Sequence, residues 1–254
     1  MRIIAIALMA FTEAVRDRIL YSLLAFALAM IGGSMILVRL SVGGEAKIVK
    51  DLGLGAISLV GVLIAVFIGV GLVSREIDRR TIYTVMARPV RRAEFILGKF
   101  CGLGLTLLVN VAIMAAGLLT LAWLLEGRWS WELLPTILLA FVELLLLTAA
   151  AILFSAFTTP TLSAIFTLAV FVIGRLIGDL RVFAAQFGGK ALQVLVTGLS
   201  YAIPNLARFN IADASVHGLP LEREYVPLAL LYGGAYVILL LAAAMAIFAR
   251  RDLK

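Results

Sequence analysis

The chain has 254 residues, 63% of them apolar, a mean hydropathy of +1.12 and a formal net charge of +7. Soluble domains carry only about 45–50% apolar residues, so this composition excludes an ordinary soluble fold and calls for several membrane spans in one bundle. The basic residues lie between apolar runs and not on a soluble face, which argues against nucleic acid as a partner, while one cysteine (Cys101) and one histidine (His217) are too few for a disulfide scaffold or a structural zinc site.

In chain order, residues 3–11 are short for the apolar core of a signal peptide, and charges follow at 12–18 where a cleavage site would lie. Ile4, Leu8, Phe11, Val15 and Ile19 recur at near-helical spacing, with Thr12, Glu13, Arg16 and Asp17 on other faces. This predicts an amphipathic helix in the membrane interface that leads into the first span. A crossing needs about 20 mostly apolar residues. Six runs meet or approach that length: 19–38, 52–73, 94–125, 133–157, 161–178 and 226–248. The third and fourth are longer than a crossing requires, and the fifth is the shortest. Thr158, Thr159 and Pro160 divide the fourth from the fifth, because proline ends one helix and suits the first turn of the next.

The one long connection covers residues 179–225. Its stretch 191–203 is apolar but too short to cross, and Pro204 and Asn205 end it. A re-entrant or interfacial helix pair is expected there, with Pro220 and Pro227 marking the turn into the last span. Placing the N-terminus in the cytoplasm puts 13 basic and 6 acidic residues on the inner segments, against 9 and 8 on the outer ones. The inside-positive bias therefore assigns both termini to the cytoplasm.

No catalytic constellation is present. The phosphate-loop pattern is missing, since Gly98 and Lys99 are followed by Phe100, and Gly189 and Lys190 by Ala191. His217 has no nucleophile at a suggestive spacing and reads as solvated. Glu143 is the one carboxylate well inside a span; it is either a contact on a substrate path or a hydrogen-bonded tie between helices. Arg175 and Asp179, four residues apart, suit a helical ion pair at a helix end. Asn110 suits an interhelical hydrogen bond. Gly98 with Gly102 and Gly174 with Gly178 allow close helix approach, as do Gly53, Gly61 and Gly69, read as one face of span two.

The most charge-dense segment, residues 74–99, holds seven basic and three acidic residues between two spans. Its first part reads as a short amphipathic helix, with Ile77 and Ile82 apolar and Arg75, Glu76, Asp78, Arg79 and Arg80 exposed. A loop of this kind is a topology signal, a lipid anchor or a docking surface. A lipid anchor should lack acids, and topology alone does not need so mixed a set of charges. Interleaved charges around Ile and Tyr suit a protein groove better.

This segment resembles the cytoplasmic coupling helix of ATP-binding-cassette permeases of the type-two exporter family. The resemblance rests on Ser74, Arg75, Glu76, Ile77, Asp78, Arg79, Arg80, Thr81, Ile82 and Tyr83, then on Ala87 to Arg92 (ARPVRR), and on Gly98, Lys99 and Phe100. The six-span layout, Pro204, Asn205 and Leu206 in the outer connection, and the ending Arg250, Arg251, Asp252, Leu253 are also similar. The branch it is most similar to contains permeases tied to nitrous-oxide-reductase and multicopper-enzyme maturation and to gliding motility. The resemblance implies an all-α integral membrane protein of six spans, with an interfacial N-terminal helix, a coupling segment at 74–92 and an outer re-entrant region at 179–225. It implies a multi-pass protein of a bacterial or archaeal cytoplasmic membrane that acts as an exporter subunit and not as an enzyme. It further implies two copies of a separate ATPase that holds the ATP and Mg, no cofactor in this chain, and a second permease copy, in a homodimer before a heterodimer, with membrane lipid around it. In the family the coupling helix sits in the ATPase cleft, which makes residues 74–83, and Arg75, Glu76, Ile77, Asp78, Arg79, Arg80, Thr81, Ile82 and Tyr83 above all, the expected docking contacts. Pro204 and Asn205 are the expected outer gate and Glu143 a candidate for the translocation path. Two rival readings are a membrane scaffold that anchors an ATPase during assembly or maturation of an envelope enzyme, and an ion-coupled carrier built on Glu143.

Overall fold

The structure, a computed structural model, describes residues 2–38, 44–78, 92–219 and 222–250. Those residues form nine α-helices and two 3-10 turns, with no strand among them. The helices are α1 (Arg2–Val15), α2 (Arg18–Val38), α3 (Glu45–Asp78), α4 (Arg92–Glu126), α5 (Leu134–Ser155), α6 (Pro160–Phe187), α7 (Lys190–Ala202), α8 (Ala212–His217) and α9 (Tyr225–Arg250). The 3-10 turns are Trp131–Leu133 and Leu206–Phe209. Six helices, α2 to α6 and α9, are long and apolar enough to cross a membrane. The protein is therefore an all-α multi-pass membrane protein.

The centre of the bundle is α3, which packs on α2, α4 and α5, while α9 covers the other side of α5. Ile57, Ile64, Leu107, Met114, Leu118, Leu144 and Leu147 fill the core. Lipid is as apolar as these side chains, so close packing has to replace the hydrophobic drive between helices. Small residues supply it. A Cβ on Gly53 would lie 2.3 Å from the Leu118 side chain of α4, and one on Gly61 2.5 Å from Leu144 of α5. Gly69 meets Ala151 of α5. The three glycines do not share one face, as their eight-residue spacing suggested: at 3.6 residues per turn the direction advances by about 80° per step. The stripe accordingly turns from α4 to α5.

The first helix is amphipathic and leads into the first span through a turn at Arg16 and Asp17. It carries two apolar faces. Ile6, Ala10 and Ala14 are buried against α4, and Ile4, Leu8 and Met9 are exposed. The glycines of α4 make that contact: a Cβ on Gly98 would sit 2.6 Å from Ile6, and one on Gly102 2.5 Å from the Ala7 carbonyl oxygen. Lys99, also on α4, reaches Glu13 of α1 at 3.4 Å. The Phe95 and Phe248 rings stack with centroids 6.1 Å apart, so α1, the start of α4 and the end of α9 gather at one end of the bundle.

The fifth span departs most from expectation. Instead of ending near residue 178 as the shortest, α6 continues to Phe187 and is 28 residues long. Asp179 and Arg181 do not stop it, because both lie on its exposed side with Val182 and Phe183. Its start is as anticipated, with Pro160 in the first turn after Thr159 in an extended conformation. After Gly188 and Gly189 the chain turns back as α7, which packs on α6.

Candidate functional site

Three spans meet at one buried cluster. Glu143 of α5 is 1% exposed, and Arg175 of α6 meets both of its oxygens with one edge of the guanidinium. The Arg175 Nε donates to Glu143 Oε1 at 2.8 Å and its Nη2 to Oε2 at 2.8 Å. The same Nη2 donates to Ser58 Oγ of α3, also at 2.8 Å. The guanidinium carbon lies 5.4 Å from the Phe171 ring centroid, one turn back along α6. A charge inside a bilayer has to face protein or water and find a partner. A planar fork that matches both carboxylate oxygens meets that demand better than a lysine would. The helical pair between Arg175 and Asp179 is not formed: Arg175 turns inward to Glu143, and Asp179 stays exposed.

The long connection between α6 and α9 packs directly beside this cluster. Pro204 is buried, and its carbonyl oxygen would lie 2.8 Å from a Cβ on Gly174, the residue before Arg175. Leu206 and Phe209 are fully buried behind it. Phe209 packs on Gly233 of α9, and Tyr232 of the same helix accepts the Asn205 N–H at 2.8 Å. Arg208 stands 5.1 Å over the Tyr232 ring, and the Tyr225 hydroxyl donates to the Arg208 carbonyl. The α8 helix ends the wedge, with Ser215 hydrogen-bonded to Thr136 of α5. Thus Pro204 and Asn205 are held between α6 and α9, one residue along from the arginine of the three-span cluster.

A second ionic cluster lies at the end away from α1. Lys50 at the start of α3 is 3% exposed and contacts Glu126 at 2.6 Å and Glu132 at 2.9 Å. Arg128 approaches the same two carboxylates, and Ser130 donates to Glu126 at 3.1 Å. Trp123, Trp129 and Trp131 stack in series beside them, with centroids 6.0 Å apart at each step. This cluster ties α3 to the end of α4 and to the turn before α5.

The segment expected to dock a partner divides in two. Residues 74–78, with Arg75, Glu76, Ile77 and Asp78, continue α3 without a break, so this part is an extension of span two and not the start of a separate helix. Arg79, Arg80, Thr81, Ile82 and Tyr83 lie outside the described residues. Asn110 also differs from expectation: its Nδ2 donates within α4 to the Thr106 carbonyl at 2.8 Å, and its buried Oδ1 has no partner among the described residues. Sequence reasoning passed over Ser58, Lys50 and Tyr232. A lone serine or tyrosine in a span carries no signal, and Lys50 reads as a loop charge. The signal for the main cluster was available: Glu143 and Arg175 are opposite charges inside adjacent spans.

Comparison with protein families finds a match over residues 4–253 to a model described as "ABC-2 family transporter protein". No curated protein matches the chain.

Proposed function

From membership of the ABC-2 transporter family, to which this chain belongs, we propose that it is the permease subunit of an ATP-binding-cassette exporter, driven by a separate ATPase that binds residues 74–83. The observation that carries this reading is the continuity of α3. One uninterrupted helix of 34 residues bears Ser58 of the buried cluster and ends in the first docking residues. From Ser58 to Asp78 is twenty residues, about 30 Å at 1.5 Å per residue. A rod of that length carries a push on its end to the point where α3, α5 and α6 are tied together.

In this reading two ATPase copies hold the ATP and Mg and grip Arg75, Glu76, Asp78, Arg79 and Arg80 on two permease copies, a homodimer in a cytoplasmic membrane. Both ends of the chain face the cytoplasm, as the excess of basic residues on those segments argues. Closure of the ATPases moves α3 relative to α6, the contacts of Glu143 and Arg175 change, and Pro204 and Asn205 beside Gly174 open the outer side. The family match supports the permease role, and the absent phosphate loop agrees with an ATPase on another chain.

The test is purification of the full chain in mild detergent with its genomic neighbours. A phosphate-loop ATPase should travel with it and be lost with Arg79→Glu/Arg80→Glu. In proteoliposomes, ATP hydrolysis should rise with a translocated molecule. A complex whose hydrolysis responds to no candidate cargo is the outcome that selects the scaffold instead.

A further inference from the structure

The elbow between α1 and α2 encloses a cleft of about 640 Å³, lined by Met9, Thr12, Glu13, Arg16, Asp17 and Arg18. Two carboxylates and two guanidinium groups line it, and Lys99, which pairs with Glu13, brings a third cation, so the charge around the cleft is net positive among the described residues. Glu13 is engaged by Lys99 at 3.4 Å. Asp17 accepts the Ile19 N–H at 3.0 Å, which fastens it to the start of α2. Arg16 and Arg18 are exposed, and neither has an ion pair among the described residues. Two exposed guanidinium groups without an ion pair thus stand at the mouth of a cleft of small-molecule size, with an excess of positive charge around it.

The apolar surroundings say where this cleft sits. Ile4, Leu8 and Met9 of α1 and Ile19 and Tyr21 of α2 are all exposed beside it, on a protein that spans a membrane. An amphipathic helix of this kind lies at the level where headgroups meet acyl chains. A ligand here meets cations at its polar end and apolar side chains at its other end.

The geometry points to a binding site for an anionic phospholipid at the α1–α2 elbow, with the headgroup phosphate between Arg16 and Arg18 and the acyl chains along Ile4, Leu8 and Ile19. Charge complementarity and the membrane setting commit the site to a lipid phosphate rather than a soluble one. Arginine forks match phosphate oxygens, and each basic group near such a surface adds to the attraction.

The experiment uses the full chain delipidated in detergent and titrated with mixed micelles of phosphatidylglycerol or phosphatidylcholine, with bound lipid counted by native mass spectrometry. Phosphatidylglycerol should be retained in preference to phosphatidylcholine. Arg16→Gln or Arg18→Gln should each weaken it about fivefold and the double variant about 25-fold, with the preference declining as salt rises. Arg16→Lys/Arg18→Lys should keep the preference, and so should Arg181→Gln/Lys190→Gln, which removes the same charge at exposed positions elsewhere. Equal retention of the two lipids by the unaltered chain overturns the proposal, whatever the variants do. So does displacement of phosphatidylglycerol by millimolar inorganic phosphate, which assigns the cleft to a soluble anion, or loss of the preference in the Arg181→Gln/Lys190→Gln control.

Discussion

Arg175 and Glu143, 32 residues apart in the sequence and on neighbouring helices, meet through two parallel hydrogen bonds of 2.8 Å each. The carboxylate is fully covered and the arginine about three-quarters covered, with 24% of its side chain accessible, so neither tolerates loss of the other. Removing one member of a buried pair costs about 3–5 kcal/mol, whereas replacing both by apolar groups is often neutral. Glu143→Leu alone should therefore lower the thermal unfolding midpoint in detergent sharply, and Glu143→Leu/Arg175→Leu should restore most of the loss. Equal unfolding of the two variants would show that the pair does not hold α5 to α6.

The glycines of α6 offer a sharper contrast, because sequence alone treats them as equivalent. A methyl on Gly174 would lie 2.8 Å from the Pro204 carbonyl oxygen and 2.8 Å from Leu206 Cγ, while Gly178 faces open space within the monomer. Gly174→Ala should destabilise by about 1–3 kcal/mol through overpacking. Gly178→Ala should gain up to about 1 kcal/mol from helix propensity. Thermal unfolding of the two variants side by side decides it, and a neutral Gly174→Ala would mean that the Pro204 wedge does not sit against α6.

How much of this was legible beforehand depends on the range of the interaction. The six spans, the amphipathic start and the break at Pro160 are properties of local composition, and local composition reports them. The Gly98 and Gly102 spacing announced a close approach, but nothing in it named α1 as the partner, since that choice depends on which helix comes back to the same end of the bundle. Asp179 misled in a similar way. Its spacing from Arg175 is right for a helical pair, yet a buried carboxylate on another span competes for the arginine more strongly than an exposed one four residues away. The length of α6 differs for a related reason: the apolar run stops at 178, but the helix continues past the exposed Asp179 and Arg181 to Phe187.

Lys50 gives a stability prediction at the other end of the molecule. It is buried between Glu126 and Glu132, whereas Arg128, which approaches the same acids, is 67% exposed. Lys50→Met leaves two carboxylates facing each other with only the exposed cation near them, a loss of about 3 kcal/mol. Arg128→Gln should change the unfolding midpoint little, since exposed pairs contribute about 0–1 kcal/mol. If the two substitutions have equal effects, the joint between α3 and α4 does not rest on the buried lysine.

Ser58 separates stability from coupling. Its hydroxyl accepts a single hydrogen bond from Arg175 Nη2, and the guanidinium keeps both of its bonds to Glu143 when that hydroxyl is absent. Ser58→Ala should therefore cost about 1.5–3 kcal/mol in folding, the range for one bond to a charged group. In the proposed exporter, however, Ser58 is the polar link from α3 to the arginine of α6, so motion begun at residues 74–78 reaches α6 in part through it. Ser58→Ala should assemble with the ATPase and hydrolyse ATP at the basal rate, but show a weakened rise of hydrolysis on addition of cargo. Ser58→Thr keeps the hydroxyl and should behave as the unaltered chain does. A Ser58→Ala complex with a full response to cargo would place the transmission from α3 to α6 in the apolar contacts instead.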